Sequence, residues 1–257
     1  MDTKLPDPTG TESYQKPEGA KSYLKFVASK DAETFRPVLK DAIVARLGTE
    51  LNSTILDAGC GPGWLTADLF KTGRKNMKGC DASKPLIEAA KQKYPGMDFD
   101  VVDLTQTLPY QEGQFDYIVL SMAIVALDLE RQKTVFKNLL KILKPAGHLI
   151  FTTVNPYYAF PVGVWKRGLW RFLLRKTPKL KLRPYQDFVR GDRKFTWNEN
   201  LISYFYTLEE QMNAFLECGY RLEHFKEIAC DADSKTYDLR YRLFRYPIFM
   251  LWDFTKK

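Results

Sequence analysis

The residues best suited to chemistry in this chain lie between positions 53 and 103. Ile55-Leu56-Asp57-Ala58 runs into Gly59-Cys60-Gly61-Pro62-Gly63, and Leu65, Leu69 and Phe70 follow at helical spacing. A strand that enters a glycine-rich turn and then a helix lets a ligand approach the backbone. Glycine has no Cβ and tolerates positive φ, and the helix start presents unpaired N–H groups. Nucleotide-type ligands suit such a turn. A dinucleotide fingerprint needs one more glycine at position 64, where helix and strand pack tightly; Trp64 stands there, so a nicotinamide cofactor is not expected. Asp81 and Asp103 close two further strand-like runs. Carboxylates accept hydrogen bonds and donate none, which suits hydroxyls or an amino group.

Asp57, Gly59, Gly61 and Gly63 in this order resemble the first motif of class I S-adenosylmethionine methyltransferases, an acidic residue followed by G-x-G-x-G. Asp81, followed by Ala82 and Ser83, matches that family's carboxylate for both ribose hydroxyls. Asp103 and Leu104 match the pair that holds the adenine amino group and packs its ring. Ser121, Met122 and Ala123 match the stretch lining the methionine and the methyl-transfer point. The resemblance implies S-adenosyl-L-methionine as cofactor, bound by Asp57, Gly59, Cys60, Gly61, Gly63, Asp81, Ala82, Asp103, Leu104, Ser121 and Met122. It extends from about residue 23 to the C-terminus, with two departures. Pro145-Ala146-Gly147 replaces the usual Pro-Gly-Gly, and Phe205-Tyr206 stands where many relatives carry His-Arg, so no acceptor-binding role carries over there.

The elements that must position these residues are also legible. Residues 53–59, 77–81, 97–103, 115–122 and 148–154 are strand-like and alternate with helical segments, which implies right-handed crossovers and a parallel sheet covered on both faces. A helix with Pro37 in its first turn carries Val38, Leu39, Ala42, Ile43 and Leu47 and stops at Gly48. Ser83 is placed to cap a helix containing Leu86, Ile87 and Ala90. Leu129 to Leu143 is helical until Lys144-Pro145-Ala146-Gly147 ends it, and Thr207-Leu208-Glu209-Glu210 is a capping box that opens a helix closed by Gly219. Residues 220–228 and 242–254 then finish the sheet. The expected fold is α/β, a doubly wound, mostly parallel seven-stranded Rossmann-like sheet with a lid inserted after strand 5. Residues 1–22 read as a flexible arm, and 23–257 as one domain that includes a 155–200 insertion.

Ligands of a doubly wound sheet sit outside the carboxyl ends of its strands. Under the resemblance, in-line transfer from a sulfonium depends on alignment and water exclusion, and a dedicated base is optional. His148 falls at the opposite edge and His224 within a late strand, so both read as structural. Tyr157 and Tyr158, after Asn155-Pro156, are the candidates for orienting an acceptor hydroxyl, and Asn155, Tyr157, Tyr158 and Trp165 are the candidate acceptor contacts. Asn155-Pro156-Tyr157-Tyr158 only superficially resembles the Asn-Pro-Pro-Tyr motif of base-amine methyltransferases, which follows the fourth strand.

The chain has 257 residues, 45% hydrophobic, with a net charge of +8 and four cysteines without a C-x-x-C pair. Neither a disulfide scaffold nor a structural zinc site is indicated. It begins without a signal-like apolar run and lacks a membrane-spanning stretch, so a cytoplasmic protein is expected. Much of the surplus charge lies between Lys166 and Lys194. Val164 to Arg175 fits a basic amphipathic helix, either a lid over the core or a segment touching a membrane interface. The resemblance implies methyl transfer to an oxygen or nitrogen of a small molecule, and the basic segment is compatible with an anionic or amphipathic acceptor. The alternatives are a tRNA methyltransferase, which the charge alone favours, and a non-catalytic cofactor-binding subunit. Oligomeric state is not written in the sequence.

Overall fold

The structure, a computed structural model, describes residues 10–156, 194–198, 201–204, 206–229 and 247–257. Three helices come first: α1 (Gly10–Gln15), α2 (Pro17–Val27) and α3 (Lys30–Leu47). Strands and helices then alternate as β1 (Ile55–Ala58), α4 (Trp64–Lys71), β2 (Met77–Asp81), α5 (Lys84–Lys93) and β3 (Asp98–Val101). They continue through β4 (Phe115–Ser121), a 3₁₀ turn at Ile124–Ala126, α6 (Leu129–Ile142) and β5 (Leu143–Val154). β6 (Lys194–Asn198) and β7 (Leu201–Tyr204) form a separate antiparallel hairpin. The chain closes with α7 (Leu208–Glu217), β8 (Tyr220–Ala229) and β9 (Pro247–Lys256).

The main sheet has seven strands in the order β3-β2-β1-β4-β5-β9-β8. β1 to β5 are parallel, and β9 runs antiparallel to both β5 and β8. The strand order reverses between β1 and β4, which opens a crevice outside their carboxyl ends. Both faces are covered, as a parallel sheet requires. Along β4, Ile118 and Leu120 join Phe136, Leu139 and Phe215 on the α6–α7 face. Val119 points the other way, into Ile43, Leu47, Leu65 and Leu69 from α3 and α4. Phe215 stacks between Phe136 at 3.8 Å and Phe254 at 4.1 Å. Each such buried side chain contributes about 1.5–3 kcal/mol.

The structure departs from the sequence reading in local detail. α3 begins at Lys30, so Pro37 lies inside the helix and not in its first turn. Packing upstream of the proline accounts for this: Phe35 meets Phe249 edge-on at 5.2 Å, and Arg36 donates to the Val27 carbonyl at 2.6 Å. α6 ends at Ile142, and Lys144-Pro145-Ala146-Gly147 belongs to β5. The register jumps there from Phe115↔Leu143 to Tyr117↔His148, and the Lys144 ammonium bonds both oxygens of Asp116 at 2.8 Å. Residues 10–22, read as part of a flexible arm, are helical apart from Lys16. The β6–β7 hairpin was not foreseen.

Candidate functional site

The glycine turn leaves β1 at the crevice. Gly59 and Cys60 both donate to the Cys80 carbonyl, at 2.7 and 2.9 Å, so the turn is fixed to β2. Gly59 has φ +72°, and a Cβ on it would lie 2.3 Å from the Ala123 Cβ, so only glycine lets the turn pass the residue that follows β4. Gly61, at φ +54°, is different: a Cβ there would meet only the Tyr23 ring, at 3.3 Å. Its N–H donates to Asp81 Oδ2 at 2.9 Å. Gly63 starts α4 as its left-handed N-cap.

Asp81 ends β2 and ties the turn to the next helix, because its Oδ1 accepts the Ser83 N–H at 2.8 Å. Burial pushes its pKa up, opposed by the N–H bonds of Ser83 and Gly61. Each oxygen spends one lone pair on the backbone and keeps another, which suits two hydroxyl donors. Asp103 follows β3, and its Oδ1 accepts both the N–H and the hydroxyl of Thr105, at 2.9 and 2.7 Å. Leu104 is buried beside it. Ala82 is half-buried at the same edge. Asp57, in β1, is 1% exposed and accepts the Thr66 hydroxyl at 2.6 Å.

Beyond β4, Ser121 shares a hydrogen bond with Thr152 of β5, Oγ to Oγ1, at 2.8 Å. Met122 adopts φ +55°, the one non-glycine residue with positive φ among those described. Its N–H donates to the Thr152 carbonyl at 3.0 Å. A left-handed methionine carries strain of about 1–3 kcal/mol that the surrounding packing must hold, and such strain concentrates at functional turns. Asn155, just past β5, is buried and donates from Nδ2 to Glu227 Oε1 at 3.2 Å. Tyr157, Tyr158, Trp165 and the basic 164–175 segment lie outside the described residues.

Sequence reasoning missed the roof of the site. α1 and α2 fold over the glycine turn and bring Tyr23 against Gly61, with Tyr14 edge-on to Tyr23 at 5.5 Å. The Ser83 hydroxyl donates to the Tyr14 carbonyl at 2.7 Å; Ser83 is therefore the N-cap of α5 by position only, its side chain being used elsewhere. Burial pushes the Tyr23 phenol pKa up, helped by Tyr14 and Asp81. Arg36 lies over the Trp64 ring at 5.3 Å. The signal was there in Tyr14, inside the 1–22 segment otherwise read from its Pro, Gly and charge, and in Tyr23 and Phe26 just beyond it.

At the opposite edge, His148 Nδ1 lies 2.8 Å from Asp253 Oδ1, and its ring stacks on Tyr117 at 5.6 Å. Asp253 is fully buried and also pairs with Arg46. This cluster joins β4, β5, β9 and α3 and is remote from the crevice.

Residues 55–147 match the family model for a methyltransferase domain. The magnesium-protoporphyrin O-methyltransferase of Rhodobacter capsulatus is 30% identical over 139 residues, 52% of this chain and 59% of that protein. The malonyl-[acyl-carrier protein] O-methyltransferase of Pseudescherichia vulneris is 26% identical over 114 residues, 44% of each chain. The chain thus spans about half the length of the curated relatives it matches. Among solved structures, the magnesium protoporphyrin IX methyltransferase of Synechocystis PCC 6803 with bound S-adenosylmethionine aligns at TM-score 0.62 and 16% identity, covering 100% of both chains. An S-adenosylmethionine-dependent methyltransferase of Mesorhizobium loti aligns at TM-score 0.62 and 20% identity, covering 88% of this chain and 99% of the other. Residues 55–147 are thus similar to a methyltransferase domain, and the sheet shares its fold with the S-adenosylmethionine-dependent methyltransferases it aligns with.

Proposed function

We propose that this chain binds S-adenosyl-L-methionine in the crevice between β1 and β4 and transfers its methyl group to an oxygen or nitrogen of a small-molecule acceptor. One observation carries the reading. Asp57 in β1, Asp81 at the end of β2 and Asp103 just past β3 follow three adjacent strands to one edge of the sheet, and Asp81 is bonded directly to the glycine turn at Gly61. Asp81 would take the ribose hydroxyls, Asp103 and Leu104 the adenine, and Asp57, Ser121 and Met122 the methionine end. When bound, the cofactor would supply a methyl group activated by a positively charged sulfur. The protein's own part is to align the acceptor and exclude water. Tyr23 and Tyr14 lie over the turn, and Asn155, held by Glu227 just past β5, would contact the acceptor.

The named relatives act at oxygen, as do ubiquinone biosynthesis O-methyltransferases of Coxiella burnetii, 29% identical over 57% of this chain. This favours an oxygen acceptor, and a carboxylate or an acidified hydroxyl needs little help from a base. The basic stretch from Lys166 to Lys194 favours an anionic or amphipathic acceptor and supports membrane contact through 164–175 as a further proposal. No helix among the described residues is long and apolar enough to cross a membrane.

Labelled methyl transfer tests the reading. Wild-type protein with S-adenosylmethionine carrying a tritiated methyl is offered small carboxylates, phenols and quinols, then bulk tRNA. Label in the small-molecule extract supports the proposal. Label confined to tRNA, lost steeply as salt rises, would replace the acceptor class. No label with any acceptor, alongside tight cofactor binding, favours a non-catalytic subunit.

A further inference from the structure

Asp57 is a carboxyl group with almost no contact with water, at 1% exposure. Its pKa is pushed up to about 7, chiefly by burial and also by the neighbouring Asp81 carboxylate, against the hydrogen bonds from Thr66. The titratable groups around it are Asp81 at the end of β2, Cys60 in the glycine turn and Cys80 in β2. None of these brings positive charge. The group that opposes the rise is Thr66, in the first turn of α4, whose hydroxyl donates to Asp57 Oδ2 at 2.6 Å.

The fold has no packing need for a hydroxyl at this position. Thr66 is 0% exposed and sits between buried Leu65 and Ala67, where valine has the same shape. A buried hydroxyl costs free energy unless bonded, and a bond to a carboxylate is among the stronger ones. The pair also spans the motif: Asp57 lies before the glycine turn and Thr66 after it, so the bond clamps the two ends of the loop that faces the ligand.

We propose that Thr66 is a positioning residue that holds the Asp57 carboxylate in place and charged, so that it receives the cationic amino-acid end of the cofactor. The inference rests on the cofactor site proposed above. Thr66 touches no reacting atom and acts through Asp57. A carboxyl must be ionised to attract a cation, so affinity is lost as pH falls through its titration. Without the hydroxyl the carboxylate is less favoured, and that loss occurs at higher pH.

The test is calorimetric titration of S-adenosylhomocysteine, which keeps the ammonium and lacks the sulfonium. It is run across about two pH units either side of 7 on wild type and on the Thr66→Val, Thr66→Ser and Asp57→Asn variants, each checked for fold by circular dichroism. Wild-type affinity is expected to rise with pH. In Thr66→Val the midpoint moves up by about one unit, with binding weakened about 10-fold near neutrality, as expected for losing one hydrogen bond to a charged group. Thr66→Ser restores the wild-type profile, and Asp57→Asn abolishes the pH dependence. A folded Thr66→Val protein with the wild-type midpoint overturns the inference, as does an Asp57→Asn profile identical to wild type. Should valine fail to fold, Thr66→Ala decides by the same midpoint. Wild type that binds neither S-adenosylhomocysteine nor S-adenosylmethionine at any pH contradicts the cofactor site itself, a result distinct from an unchanged midpoint.

Discussion

The Ser83 hydroxyl donates to the Tyr14 carbonyl at 2.7 Å while the Ser83 N–H donates to Asp81 Oδ1 at 2.8 Å. One residue therefore joins the roof of the site to the carboxylate proposed to hold the ribose. Ser83→Ala removes only the first bond. Hydrogen exchange in residues 10–15 is expected to speed up, because their local opening no longer breaks that bond. Cofactor affinity should weaken by about 3- to 10-fold, the scale of one neutral hydrogen bond. Unchanged exchange and affinity would show that the latch does not hold the helices.

The glycine turn makes a second prediction, about stability. Gly59→Ala forces a Cβ to within 2.3 Å of the Ala123 Cβ, at a backbone with positive φ. Overpacking costs about 1–3 kcal/mol and the left-handed backbone about 1–2 more. Gly61→Ala carries the same left-handed cost, at φ +54°, but meets only the Tyr23 ring edge at 3.3 Å, which gives by a small shift of α2, so the overpacking cost separates the two. Chemical denaturation should rank Gly59→Ala well below Gly61→Ala. The reverse order would contradict the account of the turn.

His148 sets a pH dependence separate from the crevice. Its hydrogen bond to Asp253 raises its pKa above the ordinary 6.5. A raised folded value stabilises the protein fully below the unfolded pKa, and the stabilisation disappears as pH rises through the folded value. The thermal midpoint of wild type should therefore fall, relative to His148→Gln, as pH rises from about 6.5. Parallel curves for the two proteins would remove His148 from the stability account.

The central architecture was legible because parallel strands buried on both faces leave near-continuous apolar runs, as in Phe115 to Ser121 and Leu149 to Val154. Capping chemistry was legible where side chains act locally: Thr207 and Glu210 form the box that their spacing predicts. What failed depended on distant partners. Pro37 lies inside α3 because Phe35 packs on Phe249, more than two hundred positions later, and periodicity near the proline cannot carry that. Ser83 has a capping sequence, but its hydroxyl goes to Tyr14, sixty-nine positions earlier. Asp57, Asp81 and Asp103 could be picked out because each ends or nearly ends a strand. Thr66 could not, because its role depends on which residue the fold sets opposite it, and Tyr23 left only an aromatic signal without a place.

The most direct test of the central claim is calorimetric titration of S-adenosylmethionine into wild-type protein and the Asp81→Ala variant. The account predicts saturable one-site binding by wild type that weakens at least about 10-fold in the variant, the scale of losing charged hydrogen bonds to the ribose. Equal affinity in both proteins, or no binding by a folded wild type, would contradict it.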